Sequence, residues 1–159
     1  MPLSTMKKLR PSLAVAALAL LTALPAAAQY RNADAAIKYR QSAMSLQGNH
    51  MARIFAMVNG QTPFDAKVMN ENIEIVALLN TRAQFAAFID GSDKGNTRAK
   101  PEIWTEKDKW NAAVAKSQAD VDKLVAAGKT GNLDQIKAAL GAVGQSCKNC
   151  HDAYQKPAN

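Results

Sequence analysis

The segment that most constrains this chain is the pentapeptide C-K-N-C-H, residues 147–151, near its C-terminus. C-x-x-C-H is the attachment pattern of c-type haem, in which two thiols add to the porphyrin vinyl groups and the histidine binds iron. On a helix, Cys147, Cys150 and His151 would project from one face, because residues three and four apart are neighbours. The pattern therefore predicts one covalent haem c per chain, with His151 as the metal ligand.

A C-x-x-C pair has three other uses: a thioredoxin-like redox couple, half of a zinc site, and a disulfide. A redox couple normally lies at a strand–helix junction, and no βαβ pattern is visible. A zinc site needs four ligands, whereas the chain has only these two cysteines and one histidine besides His151, namely His50. The adjacent histidine favours haem, and a lone disulfide stays as the alternative.

The N-terminus has the pattern of a secretory signal peptide, residues 1–28. Lys7, Lys8 and Arg10 form a positively charged start, residues 13–24 are uncharged and mostly apolar, and three alanines at 26–28 offer a cleavage site. The apolar run is shorter than the roughly 20 residues of a membrane-spanning helix. An uncleaved membrane anchor is the alternative. Export suits haem c, so the predicted location is the periplasm.

Residues 29–159 suit a single domain with one core. The net charge of the full chain is +7, but the basic residues are dispersed and part of the excess lies in the leader. Nucleic-acid binding normally needs a clustered basic stripe, so it is not expected. No membrane contact is expected after cleavage. Redox partner proteins stay open as partners.

Apolar residues recur at helical spacing in four segments after the leader, and no segment has the alternation of a strand. The first helix is predicted over 33–59, the second up to about 88, the third from about 106, and the fourth through the C-x-x-C-H segment. Residues 90–100 are rich in Gly, Asp and Lys and are predicted to form the one long loop. Four such helices predict an all-α fold, an antiparallel up-down-up-down four-helix bundle. The predicted inward face of the first helix is Ile37, Met44, Gly48, Met51, Phe55 and Val58.

Capping residues define the predicted ends of these helices. Thr62 is placed to cap the second helix, with Pro63 at its first helical position. Thr105 is placed to open the third helix, and Gly128 to end it in a left-handed conformation. Asn132 is placed to cap the fourth helix.

With these features in view, the chain resembles the cytochrome c prime family, the class II c-type cytochromes. The resemblance covers the whole mature chain. A C-x-x-C-H near the C-terminus is itself discriminating, because class I cytochromes c carry theirs near the N-terminus. The segments that carry the resemblance are K-Y-R-Q at 38–41, G-Q-T-P-F-D at 60–65, K-P-E-I-W at 100–104, and residues 147–154.

The resemblance implies a high-spin, five-coordinate haem that binds small gases (nitric oxide and carbon monoxide) and can take part in electron transfer. It implies that Arg40 and Gln41 lie beside the haem propionates, with Thr97 or Lys100 of the loop also within reach. Family members commonly carry a basic residue four positions after the histidine. Here that residue is Gln155, which leaves the chemistry of the proximal face open.

Met44 is the residue on which the choice of function depends. It lies on the predicted inward face of the first helix, where family members place the side chain that covers the distal iron face. As a space-filling core residue it would leave the sixth position open to gases. As a thioether ligand it would make a low-spin electron carrier. The sequence context favours the non-ligating interpretation.

The remaining expectations are briefer. His50 is expected to face solvent. The chain has no paired carboxylates, nucleophile elbow or phosphate loop, so a binding protein and not an enzyme is predicted. A bundle that haem merely stabilises is a third, weaker interpretation. The resemblance also implies a homodimer through the first two helices, for which Ile54 and Met57 are candidate contacts.

Overall fold

The computed structural model describes residues 29–80 and 82–157, so the predicted signal peptide lies outside the described residues. Four long helices pack as an up-down-up-down bundle, which confirms the predicted fold class. No strand occurs within the described ranges, apart from one isolated antiparallel bridge between Ala99 and Gln155. The helices are α1 (Ala33–Val58), α2 (Ala66–Leu79), α3 (Arg82–Ala86), α4 (Glu102–Thr105), α5 (Lys107–Thr130) and α6 (Leu133–Tyr154).

Asparagine and aspartate side chains begin three of the long helices. Asn132 accepts a hydrogen bond from the Gln135 backbone N–H at 3.0 Å, which confirms the predicted cap of α6. Asn32 caps α1 in the same way. The predicted Thr62 cap of the second helix is wrong. Asp65 takes that place because it is extended and accepts from the Val68 N–H at 3.0 Å.

The other predicted helix ends need three corrections. The second helix stops at Leu79, because Asn80 leaves helical geometry and turns its buried amide toward Ser117 of α5. The third helix begins after Glu106, which makes no side-chain capping bond, so Thr105 is not the cap. That helix ends at Gly131, whose φ of 64° is left-handed, and not at Gly128.

Gly128 lies inside α5 for a different reason. A Cβ placed there would come within 2.9 Å of both Asn70 Oδ1 and Ile73 Cδ1 on α2. Glycine at this position therefore lets α2 and α5 approach closely.

The inward face of α1 also differs from the prediction. Ile37 is buried, but Gly48 and Phe55 are exposed, and Met44, Met51 and Val58 are only half-buried. Ile54 and Met57 are buried in the core, so the prediction that they meet a second copy is wrong. The periodicity was misassigned because two polar residues share the buried face. The buried residues of α1 are Ala36, Ile37, Arg40, Ala43, Gln47, Ile54 and Met57.

The apolar core fills one end of the bundle, where all four long helices contribute aliphatic side chains. Ile54, Met69, Ile73, Leu124 and Ile136 are fully buried there. None of the described helices is long and apolar enough to cross a membrane. The aliphatic core ends near Val143, one turn before the first cysteine, and the opposite end of the bundle is built differently.

Two glycines, Gly131 at the end of α5 and Gly141 inside α6, offer a matched stability test. Alanine at Gly131 must adopt a left-handed backbone, which costs about 1–2 kcal/mol. Gly141→Ala in α6 is the control, because a Cβ there meets nothing within 4 Å and alanine favours helix by up to about 1 kcal/mol. Denaturant unfolding should show opposite signs for the two variants. Equal effects would contradict the assignment of Gly131 as the helix end.

Candidate functional site

A cavity of about 500 Å³ opens at the end of the bundle that the aliphatic core leaves unfilled. Its size lies within the range of small-molecule and cofactor sites. The walls come from α1, α3, α5, α6 and the loop between α3 and α4. All seven site residues predicted from the sequence line it: Arg40, Gln41, Met44, Thr97, Cys147, Cys150 and His151.

The attachment residues lie together on the last turns of α6. Cys147 and Cys150 are half-buried, and both thiols are free. Burial raises the pKa of Cys150 to about 11, and burial followed by the negative charge of Asp120 raises the pKa of Cys147. Both sulfurs are therefore neutral thiols near neutral pH.

His151 lies in the same wall, and its pKa is shifted in the opposite direction to those of the two thiols. Desolvation, followed by the positive charge of Arg98, lowers the pKa of its imidazole. The neutral imidazole is the form that binds a metal. Among the described residues no group of three or more His, Cys, Asp and Glu side chains could hold a metal ion.

The end of α6 is fastened to the loop that precedes α4. The Lys100 N–H donates to the Tyr154 carbonyl at 2.9 Å, and the Lys156 N–H donates to the Arg98 carbonyl at 2.7 Å. Arg98 Nε also donates to the Lys156 carbonyl at 2.8 Å. This pairing places Arg98 and Gln155 beside His151 in the cavity wall. Lys100 instead donates its Nζ to the Asp152 and Ala153 carbonyls, and it does not line the cavity.

Arg40 ties α1 to the loop that follows α3. Its Nη1 donates to the Ala87 carbonyl at 3.1 Å and to Ser92 Oγ at 2.7 Å. Its Nη2 donates to the Ser92 carbonyl at 2.6 Å and to Thr97 Oγ1 at 2.9 Å. The guanidinium also lies 4.5 Å from the centre of the Phe88 ring. Next to it, Gln41 donates to the Asn96 carbonyl at 2.8 Å, so both residues hold the same loop.

The charge of Arg40 has no acidic partner among the described residues. The side chain is 3% exposed, and every acceptor that it contacts is neutral. Burial lowers the pKa of the guanidinium to about 10, which records the cost of keeping this cation away from water. A buried unpaired cation in a cavity wall suits a ligand that brings carboxylate groups.

Aromatic side chains form the wall between α3 and α5. The ring centres of Phe88 and Trp110 lie 4.8 Å apart, those of Phe85 and Trp110 6.0 Å, and those of Trp110 and Tyr154 5.1 Å. The Trp104 indole N–H donates to the Phe88 and Ile89 carbonyls at 3.1 Å. These rings give a broad apolar surface, as expected of residues beside a flat macrocycle.

Met44 is half-buried, and its sulfur accepts a hydrogen bond from Gln84 Nε2 at 3.3 Å. Sequence reasoning placed Met44 in the cavity but missed Gln84 and Gln47, which are buried in the same wall. The prediction that His50 faces solvent is wrong in part. It is half-buried, with Nδ1 2.8 Å from Asn72 Oδ1 of α2, and it does not line the cavity.

Comparison with known proteins agrees with this geometry. The family model described as Cytochrome C' matches residues 35–155. The chain belongs to the cytochrome c prime family. Cytochrome c' from Rubrivivax gelatinosus is 49% identical over 129 residues, which cover 80% of this chain and 99% of that protein. The cytochrome c' from Alcaligenes xylosoxydans xylosoxydans is 41% identical over 80% of this chain and 98% of that one.

Solved cytochromes c prime share the fold. The crystal structure from Rubrivivax gelatinosus gives a TM-score of 0.77 at 49% identity, covering 80% of this chain and all of that one. A carbon monoxide-bound variant from Alcaligenes xylosoxidans gives 0.76 at 40% identity, covering 80% and 99%. A nitric oxide complex of another variant of that cytochrome c prime gives 0.76 as well, covering 81% and 99%. The resemblance found in the sequence is thus confirmed.

Membership in the family identifies the cofactor as covalently bound haem c, and the residues present fit it. Two thiols and a neutral imidazole share one face of α6, and aromatic rings line the cavity. Arg40 can neutralise the charge of a propionate, because its guanidinium is buried in the cavity wall with no acidic partner among the described residues. The cavity of about 500 Å³ that these residues line is large enough for a cofactor, and these residues would hold the haem there.

The role of Arg40 can be tested through stability. Arg40→Leu removes four hydrogen bonds and leaves the Ala87 and Ser92 carbonyls without that donor, so we expect a loss of at least about 2 kcal/mol. Arg40→Lys should recover only part of the lost stability, because a single ammonium group cannot make all the hydrogen bonds that the two Nη atoms of the guanidinium make. Arg53→Leu on the exposed side of α1 is the control, with an expected change within about 0.5 kcal/mol. Similar melting curves for the two leucine variants would contradict the role of Arg40.

Proposed function

We propose that this cytochrome c prime is a periplasmic protein whose haem iron, held by His151, keeps an open sixth position that binds nitric oxide and carbon monoxide. Cys147 and Cys150 are the proposed thioether positions, and residues 29–159 are the proposed haem-binding domain. The haem, when bound, supplies the iron that carries the gas. Electron transfer with a partner protein is a further use of the same centre. The proposed role is binding, without a catalytic reaction.

The observation that carries this proposal is the contact between Met44 and Gln84. The Met44 sulfur accepts the Gln84 N–H at 3.3 Å, so one of its lone pairs is occupied within the protein. Variants of the cytochrome c prime from Alcaligenes xylosoxidans were solved with carbon monoxide and with nitric oxide, which supports the same use of the cavity here. Met44 would then cover the distal space without binding the metal.

The surrounding residues support that arrangement from both sides. On the proximal side, a depressed imidazole pKa keeps His151 neutral and ready to ligate. The positive charge of Arg40 would attract the propionates, and the Thr97 hydroxyl, which accepts from Arg40, would donate its own hydrogen to one of them, while Phe88 and Trp110 keep water from the cavity wall. On the distal side, Met44 crowds the entry of larger ligands.

The alternative function is a low-spin electron carrier with Met44 as the sixth ligand. One observation favours it: Met44 and His151 line the same cavity, and the thioether keeps a second lone pair. A methionine side chain is also flexible enough to change its contacts. The two functions therefore differ in whether the sulfur stays with Gln84 or moves to the metal.

Substitution of Met44 separates the two functions. If Met44 only covers the pocket, the ferrous protein is high-spin, and Met44→Ala keeps that spin state while nitric oxide enters faster. The ferric protein then has no sulfur-to-iron charge-transfer band. If Met44 is a ligand, the band is present in the wild type, and Met44→Ala removes it and makes the haem high-spin. That second result would replace the gas-binding proposal with the electron carrier.

Homodimerisation is proposed through α1 and α2. Most of the exposed large apolar side chains of the described residues lie on these two helices. Leu78 is 70% exposed and Leu46 is 53% exposed. A group of exposed apolar side chains on one face is typical of a surface that contacts another protein. The other exposed apolar residues on these helices are Tyr39, Phe55, Val68 and Ile75.

Sedimentation at micromolar concentration tests the dimer. Wild-type protein should sediment at twice the monomer mass, and Leu78→Asp should shift it toward the monomer, because a carboxylate is costly in an apolar interface. Ala138→Asp on the exposed side of α6 is the matched control and should leave the dimer intact. A wild-type protein of monomer mass would end this proposal.

A further inference from the structure

Two glutamine amides are buried in the cavity wall next to Met44. Gln47 on α1 is 8% exposed and Gln84 on α3 is 2% exposed, and both line the cavity. The Oε1 atom of each is buried without a hydrogen-bond partner in the described structure. Because an unpaired buried amide oxygen destabilises the fold, such groups call for an explanation at the site where they occur.

The orientation of the Gln84 amide follows from its contact with Met44. A thioether sulfur can only accept a hydrogen bond, so the NH₂ end of the amide must face it. The N–S distance of 3.3 Å fits that bond. Sulfur is a weak acceptor, and methionine has three rotatable bonds. The bond is thus strong enough to place Met44 and weak enough to be exchanged for one to a better acceptor.

We propose that Gln84 is a specificity-determining residue of the distal pocket: it holds the Met44 thioether at rest and donates its N–H to a diatomic ligand when Met44 turns aside. This inference rests on the proposed gas-binding function. A hydrogen-bond donor beside the bound gas favours ligands whose outer atom gains negative charge on binding. Bent, polar diatomic ligands gain more of that charge than carbon monoxide, so Gln84 selects for them.

The same amide performs both tasks without a change in the backbone. In the resting pocket, α3 and α1 are linked through the Gln84–Met44 bond. When a ligand occupies the space, Met44 gives up its weak bond, and the freed N–H finds a stronger acceptor. Gln84 therefore replaces one hydrogen bond with another, and no buried donor is left unpaired.

The test uses carbon monoxide as a vibrational probe of the haem-loaded ferrous protein. A donor to the ligand's outer atom lowers the C–O stretching frequency, so Gln84→Leu should raise it relative to the wild type. Gln84→Leu should also speed nitric oxide dissociation by about threefold to tenfold, the worth of one hydrogen bond. Gln145→Leu on α6, exposed and outside the cavity, is the matched control and should change neither quantity.

The outcomes separate this inference from the proposed function. If wild-type protein binds neither gas, the proposed function fails. If it binds both and Gln84→Leu leaves the C–O frequency and the dissociation rate unchanged, only the role of Gln84 is overturned. Should Gln84→Leu fail to fold, Gln84→Ala also removes the N–H donor and leaves no other donor in its place, so it must also raise the frequency. An unchanged frequency in Gln84→Ala would equally overturn the proposal.

Discussion

The buried guanidinium of Arg40 is the contact on which the shape of the cavity depends. Its four hydrogen bonds hold the chain from Ala87 to Thr97 against α1. Directly after Thr97, the same loop pairs with the end of α6 through the Ala99–Gln155 bridge. Arg40 is therefore linked, through one continuous loop, to the turn of α6 that carries His151. The same stretch of chain therefore contacts both Arg40 on α1 and the end of α6 that follows His151.

The two ends of the bundle differ in how their interior is filled. At one end, aliphatic side chains such as Ile54, Ile73 and Leu124 exclude water and close the core. At the other end, the cavity is surrounded by the Arg40 cation, two buried glutamine amides, the two cysteine thiols and several aromatic rings. Removing a buried side chain already costs about 2–5 kcal/mol, so we expect the loss of a group as large as haem to destabilise this end of the bundle by more than that.

Helical periodicity and the C-x-x-C-H spacing were sufficient to predict the four-helix bundle and to place Cys147, Cys150 and His151 together, because both depend on local geometry; all three residues line the cavity. The inward face of α1 was misassigned because Arg40 and Gln47 are buried, and a hydrophobic pattern places polar residues outside. Gln84 could not be found, since its role arises from a contact with Met44 that joins residues 40 positions apart. The break at Asn80 likewise depends on Ser117 of another helix. Contacts of this kind appear only when the helices are packed.

Attachment of haem through both cysteines is the claim on which the proposed chemistry rests. The most direct measurement is the spectrum of the reduced pyridine complex of the purified protein after unfolding, since it reports how many vinyl groups have been saturated. Thioether bonds at both Cys147 and Cys150 predict the spectrum of a doubly saturated haem c, with the colour staying on the protein in acidified acetone. A spectrum of unmodified protohaem, extracted into the solvent, would contradict attachment at either residue.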